Sequence, residues 1–288
     1  MADPATVVVP YSRFPYCKWE PQVEELAKQY RENHPFPHIR LKDFLEPAVA
    51  RAIAQEFPTH GTEAWTQYKH HNENKLGMTK RELFPPGLGS VADDLNSERF
   101  AAWLSRLTGI AGLMPDPSLE GGGLHQSARG GFLNVHTDFS MHHYQKNWRR
   151  RVNVLVYLNP IWKDEWGGAI EFWEPSMRRC GAKYPPLLND AVIFTTDERS
   201  LHGFPDPLTC PEDVVRKSLA FYYYTIEHSP KFSLHSTDYR PRPSDGWRTR
   251  ILIWLDKKAV DLYSRAKIRL GFSDEFASKV LGILSRKK

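Results

Sequence analysis

Hydrophobic positions change their period twice along the chain. In PAVARAIAQEF, Val49, Ile53 and Phe57 recur every four residues, one face of a helix, and Pro47 suits its first position. SERFAAWLSRLTG puts Phe100, Trp103, Leu104 and Leu107 on one helical face, with Ser97 placed to cap the start and Gly109 to end it. VEELAKQYRENHP reads as an earlier helix ended by Pro35, and HIRLKDFL as a short strand. From Gly121 to about Thr225 short β-rich runs alternate with turn clusters: GGFLNVHTDF, RVNVLVYLN, AIEFW, DAVIFTT and RKSLAFYYYT. Such spacing predicts a β-sandwich or barrel. Residues 226–243 read as irregular. ILIWLDKKAVDLYSRAKIRLG then reads as a helix stopped by Gly271, and SDEFASKVLGILSRKK as a second one with Ser273 at its cap and a basic face. The expected organisation is one domain: a mainly helical part over 1–115, a β core over 116–228 and a helical extension over 229–288.

Composition narrows the class. Hydrophobic residues make up 41% and charged residues 25%, an ordinary globular balance with enough apolar mass for a large core. The three cysteines, Cys17, Cys180 and Cys210, form no CxxC pair, which argues against a disulfide framework or structural zinc. That usage, with an opening MADPATVVVP that lacks a basic start and a long apolar run, points to a cytoplasmic protein. No window approaches the roughly 18 apolar residues of a membrane span. A net charge of +5 spread over 288 residues serves solubility and does not single out nucleic acid as a partner.

Candidate chemistry begins in NVHTDFSMHH, residues 134–143. On a strand, residues two apart share a face, so His136 and Asp138 face one point and Thr137 faces away. An imidazole and a carboxylate with open positions are two-thirds of the triad that holds non-haem Fe(II). Chance alone gives about two-thirds of one H-x-D match in a chain of this make-up, so context decides. A competing H-x-E, His71 and Glu73 in KHHNENK, sits in a wholly polar run that reads as a solvated loop. His142 and His143 belong to a loop after the pair and read as solvent-facing. Arg149, Arg150 and Arg151 read as a solvated strand edge, and Trp162, Trp166 and Trp173 as core.

Downstream, RVNVLVYLN puts Asn153, Leu155 and Tyr157 on one strand face. WGG follows at 166–168, and His202 in LHG comes just past the strand DAVIFTT. RKS puts Arg216 and Ser218 on one face with Lys217 on the other. This ordered string, HTD, YLN, WGG, LHG and RKS over roughly residues 121–225, resembles the Fe(II)/2-oxoglutarate-dependent dioxygenases, nearest to their prolyl 4-hydroxylase-like branch. FLEP and LTGI upstream resemble that family's leader.

The resemblance implies a double-stranded β-helix core, the jelly roll shared with cupins, wrapped by helices. It implies Fe(II) held by His136, Asp138 and His202. It implies 2-oxoglutarate on the metal with its far carboxylate on Arg216, helped by Tyr157 and Ser218, with O₂ as co-substrate. Asn153, on the face of Tyr157, joins the expected co-substrate contacts, and Gln126 is a weaker candidate. The implied reaction hydroxylates an unactivated C–H bond of a peptidyl or small-molecule substrate and releases succinate and CO₂. Two departures stand out: Leu133 replaces the family's tyrosine before H-x-D, and PDPLTCPED lengthens the His202–Arg216 gap. Two rivals remain at this stage. One is a non-catalytic jelly-roll module binding a sugar, peptide or nucleic acid. The other is a cupin-type metalloprotein that does not use 2-oxoglutarate. Oligomeric state and prime substrate stay open.

Overall fold

The computed structural model describes residues 13–60, 64–145, 147–228 and 237–270. In chain order, α1 (Tyr16–Trp19), α2 (Val23–Glu32), β1 (His38–Leu41) and α3 (Pro47–Gln55) lead into β2 (Thr66–His70) and β3 (Glu73–Met78). Then come α4 (Pro86–Leu95), α5 (Glu98–Thr108) and β4 (Met114–Pro115). The core follows: β5 (Gly123–Ser127), β6 (Phe132–Thr137), β7 (Trp148–Tyr157), β8 (Ile170–Trp173), β9 (Cys180–Tyr184), β10 (Ala191–Thr195), β11 (Leu201–Phe204) and β12 (Arg216–Ile226). β13 (Asp238–Tyr239) and α6 (Trp247–Leu270) complete the described elements.

Pairing order runs β1–β10–β7–β12–β5, then β3, then β6–β11–β8–β9. The first five strands form one wall and the last four the other, with β3 hydrogen-bonded to both β5 and β6. The result is a nearly closed antiparallel jelly roll, the double-stranded β-helix expected. The second half of β7, VNVLVY, is largely apolar because both of its faces pack inside the molecule. Val152, Val154 and Val156 face outward and join a cluster with Leu26, Tyr30, Phe100, Leu104 and Leu107 of α2 and α5. Asn153, Leu155 and Tyr157 face inward, opposite Tyr222, Ala220 and Ser218 of β12. Helices thus cover one side of the sheet, and the site occupies the other.

Two helix signals hold as read. Ser97 Oγ accepts from the Phe100 amide at 3.2 Å, and Gly109 closes α5 in the left-handed region at φ 73°. Pro47 stands at the start of α3. KHHNENK, read as a solvated loop, is instead the turn of the β2–β3 hairpin, with Asn72 and Glu73 buried. Residues 1–115 therefore carry strands as well as helices. The chain divides into compact units Met1–Arg242 and Pro243–Lys288. In the second, α6 is described as far as Leu270, and the Gly271 read as its stop lies outside the described residues. The helix expected over 273–288 lies outside the described residues. No described helix is long and apolar enough to cross a membrane.

Candidate metal and co-substrate site

Strands β6 and β11 are register neighbours, and His202 pairs directly with His136. His202 therefore lies on a strand of its own, not merely past β10. Gly203 permits that closeness: a Cβ there would meet the Leu133 and Asn134 carbonyl oxygens at 2.7 and 2.9 Å. The two imidazole rings sit 4.5 Å apart. Asp138, one residue beyond β6, reaches them both, Oδ1 at 3.6 Å from His136 Nε2 and Oδ2 at 3.5 Å from His202 Nε2. One ligand atom from each of the three residues lies within 4.8 Å of the others.

Ring orientation is set from behind. Nδ1 of His136 lies 2.9 Å from the Asn134 carbonyl oxygen, and Nδ1 of His202 lies 2.8 Å from that of Ser200. A carbonyl only accepts, so each Nδ1 carries the proton and each Nε2 keeps a lone pair facing Asp138. Burial pushes the His202 imidazolium down to about 4, so the ring is neutral at physiological pH. Asp138 stays ionised. Burial opposes its charge, but Arg150, His202 and His136 hold its carboxyl well below the usual range. Two imidazoles and one carboxylate, buried and converging, fit a divalent transition metal with coordination positions left open.

Arg150 is the residue the sequence reading missed. It was placed on a solvated edge, yet it is one of the largest fully buried side chains. The β7–β12 register shifts between Tyr223 and Tyr224, so Val152 and Arg150 pair with consecutive residues and Arg151 is bulged out. The bulge turns Arg150 inward, where its Nε donates to Asn153 Oδ1 at 2.9 Å. Its Nη2 lies 3.1 Å from Asp138 Oδ2, and its guanidinium stacks 3.3 Å from the Tyr222 ring centre. Asn153 in turn donates to Asp138 Oδ2 at 2.8 Å. Both partners gather on Oδ2, which leaves Oδ1 the freer oxygen for a metal. The amide of Asn153 is thereby engaged with Asp138 and Arg150.

Arg216, on β12, is buried in the same cavity. Its Nε donates to the Gly168 carbonyl at 2.7 Å and its Nη2 to Tyr157 Oη at 3.2 Å. Among the described residues no carboxylate lies within ion-pair distance of it. Burial lowers its pKa, countered by Tyr157. Gly168 has φ 74°, and a Cβ there would come 3.2 Å from the Arg216 stem and 2.6 Å from Leu208. The second glycine of WGG is therefore what lets Arg216 lie flat. Ser218 faces the cavity across from Tyr157 and His125. Lys217 and Gln126 pair with each other one residue out of phase, so their side chains take the opposite face from Arg216 and His125.

His142, expected in solvent, is buried. Its Nδ1 accepts from the Tyr144 and Gln145 amides at 3.1 Å and its Nε2 lies 3.5 Å from Asp116 Oδ1. It pins the loop that follows Asp138. His143 is exposed and bonds Glu120 at 2.5 Å. Trp162 and Trp173 are core, as read.

Residues 122–224 match the family model described as the 2OG-Fe(II) oxygenase superfamily. No curated protein matches the sequence. Among solved structures, one similar fold is a prolyl hydroxylase from Trichoplax adhaerens, in complex with a hypoxia inducible factor oxygen degradation domain peptide fragment. It shows 17% identity over 71% of this chain and 90% of that one, at a TM-score of 0.52. A prolyl 4-hydroxylase from Phytophthora capsici shows 20% identity over 88% of this chain and 79% of that one, also at 0.52. Residues 122–224 thus match the 2OG-Fe(II) oxygenase superfamily, and the jelly roll around the buried His–Asp–His cluster has the fold of these two prolyl hydroxylases.

Proposed function

We propose that His136, Asp138 and His202 hold the Fe(II) of this 2-oxoglutarate-dependent dioxygenase and that Arg216 and Tyr157 receive the far carboxylate of 2-oxoglutarate. Bound together, the metal and its co-substrates supply an oxidant for an unactivated C–H bond, with release of succinate and CO₂. The chain's own residues supply the geometry. The backbone carbonyls of Asn134 and Ser200 fix the two rings, and Arg150 and Asn153 fix the carboxylate. The reaction read here is hydroxylation of a prolyl residue or a small molecule. The three free cysteines fit a reducing, cytoplasmic setting.

The observation that carries this reading is the buried guanidinium of Arg216, which has no carboxylate partner among the described residues and shares a cavity with the ligand cluster. An uncompensated buried charge is costly unless a ligand completes it, and a planar fork matches a carboxylate. A cupin metalloprotein that does without 2-oxoglutarate has no use for it. The test is incubation of the purified chain with Fe(II), 2-oxoglutarate and O₂, following succinate and screening candidate substrates for a product heavier by one oxygen. Absence of both 2-oxoglutarate binding and succinate would overturn the proposal.

A further inference from the structure

The β2–β3 hairpin forms a wall of the cavity, and that wall is charged. Glu73, Lys75 and Gly77 lie on one face of β3, the face shared with His125 of β5. Lys75 lines the same cavity as His136, Asp138, Arg150 and Arg216. Its ammonium is 3.1 Å from Glu73 Oε2 and lies over the Tyr68 ring. Glu73 is shared, because its other oxygen takes His70 Nε2 at 2.8 Å. An ammonium has three donors, so the bond to Glu73 leaves two over.

Charge bookkeeping over the loaded cavity does not close. The chain supplies three cations around the cavity, Arg150, Lys75 and Arg216, and two carboxylates, Asp138 and Glu73. Fe(II) and the 2-oxoglutarate dianion cancel each other. Three cations against two carboxylates then leave one positive charge unmatched around the cavity. Outside the ligand cluster, the imidazole ring lining the cavity is His125, and it stays uncharged: burial and Lys75 push it down to about 3. Lys75 itself stays charged. Burial opposes its charge, but Glu73 and Tyr222 more than offset that. Of the three cations, Arg150 is stacked under Tyr222 and tied to Asp138, and Arg216 is reserved for the co-substrate. Lys75, on the hairpin wall with donors to spare, is the one available to a third molecule.

We infer that the prime substrate is a small carboxylic acid whose carboxylate is bound by Lys75 on the hairpin wall. The inference rests on the dioxygenase reading above, since the charge balance assumes both the metal and 2-oxoglutarate. An internal residue of a peptide, neutral along its backbone, leaves the charge unmatched.

The test loads the full chain with Mn(II) and saturating 2-oxoglutarate, so that binding is read without turnover. Small carboxylic acids are titrated calorimetrically beside their own N-methylamides, beginning with N-acetyl-L-proline and hexanoic acid. We expect at least one acid to bind roughly tenfold or more tighter than its amide, the worth of a charge-assisted hydrogen bond. That affinity is expected to stay constant as 2-oxoglutarate is raised, which separates it from competition at Arg216. Lys75→Gln brings acid and amide to within about twofold, and Lys75→Arg keeps the preference. Equal binding of every acid and amide by the wild-type chain overturns the inference, as does a preference that survives in Lys75→Gln. If Lys75→Gln does not fold, the wild-type comparison still decides. Failure of the Mn(II)-loaded chain to bind 2-oxoglutarate at all sinks the dioxygenase reading first, and this inference with it.

Discussion

Arg216→Met separates what the guanidinium does for the fold from what it does for the ligand. The folded chain loses two hydrogen bonds from a charged donor, to the Gly168 carbonyl and to Tyr157 Oη, each worth about 1.5–3 kcal/mol. It is also relieved of a buried cation with no carboxylate partner, whose desolvation costs several kcal/mol. These contributions oppose and nearly match, so stability without ligands should change by less than about 2 kcal/mol. Ligand affinity has no such compensation. A buried, forked contact to a carboxylate is worth at least about 1.5–3 kcal/mol, or roughly a 10- to 150-fold weaker Kd once lost. At a 2-oxoglutarate concentration about 100 times the wild-type Kd, the ligand stabilises wild type by about 2.7 kcal/mol. A variant bound 100-fold more weakly gains only about 0.4 kcal/mol. In thermal melts with Mn(II), that is a shift of about 5–10 °C for wild type and about 1 °C for the variant. Two results would refute the reasoning. One is an Arg216→Met chain that keeps the full 2-oxoglutarate shift. The other is a ligand-free variant destabilised by more than about 4 kcal/mol, the mark of a broken buried ion pair.

Arg150→Met should behave in the opposite way. It strands the Asp138 carboxylate and should cost about 3–5 kcal/mol without metal, part of which Mn(II) recovers, as melts with and without the ion will show. Gly168→Ala puts a Cβ against Leu208 and the Arg216 stem, so calorimetry should show 2-oxoglutarate weakened with Mn(II) affinity kept. Ser97→Ala removes the bond to the Phe100 amide and should cost about 1 kcal/mol in denaturant unfolding, with site chemistry unchanged. Burial holds the His125 pKa near 3 in the folded chain, while the unfolded ring titrates near 6.5. Between those values the unfolded state binds the extra proton, so His125 lowers stability as pH falls through about 6.5 and stops doing so below about 3. His125→Gln should flatten the stability profile in that window and leave it unchanged above pH 7.

Much of the site was legible because its residues obey simple geometry. His136 was placed by strand alternation, and Tyr157, Arg216 and Ser218 by the same rule on β7 and β12. Ser97 and Gly109 were readable because a helix end must satisfy its own amides and carbonyls, and few residue types do so. The glycines in WGG and LHG were visible as motif letters, but their reason was not. Only three dimensions show that Gly168 makes room for Arg216 and Gly203 for the carbonyls of β6.

What stayed hidden shares one cause. Sequence patterns take apolar to mean inside and polar to mean outside, and a jelly roll built around a charged cavity inverts that code. On β3, Lys75 lines the cavity with Glu73 paired to it on the same strand face, while Leu76 takes the other face beside Gln126. The strand's inner face is thus its polar one, and the polar letters of KHHNENK do not show that Asn72 and Glu73 are buried or that Lys75 lines the cavity. Arg150 was hidden twice over. It sits in a run of three arginines that reads as an edge, and the bulge at Arg151 breaks the alternation that would otherwise have pointed it outward. His142 was hidden because Asp116 and Glu120, the acids that make its burial tolerable, come from a loop more than twenty residues away. In each case the missing information was a long-range partner. A buried charge is meaningful only with its counter-charge. For Arg216 the proposed counter-charge belongs to a ligand, which no reading of the chain in isolation supplies.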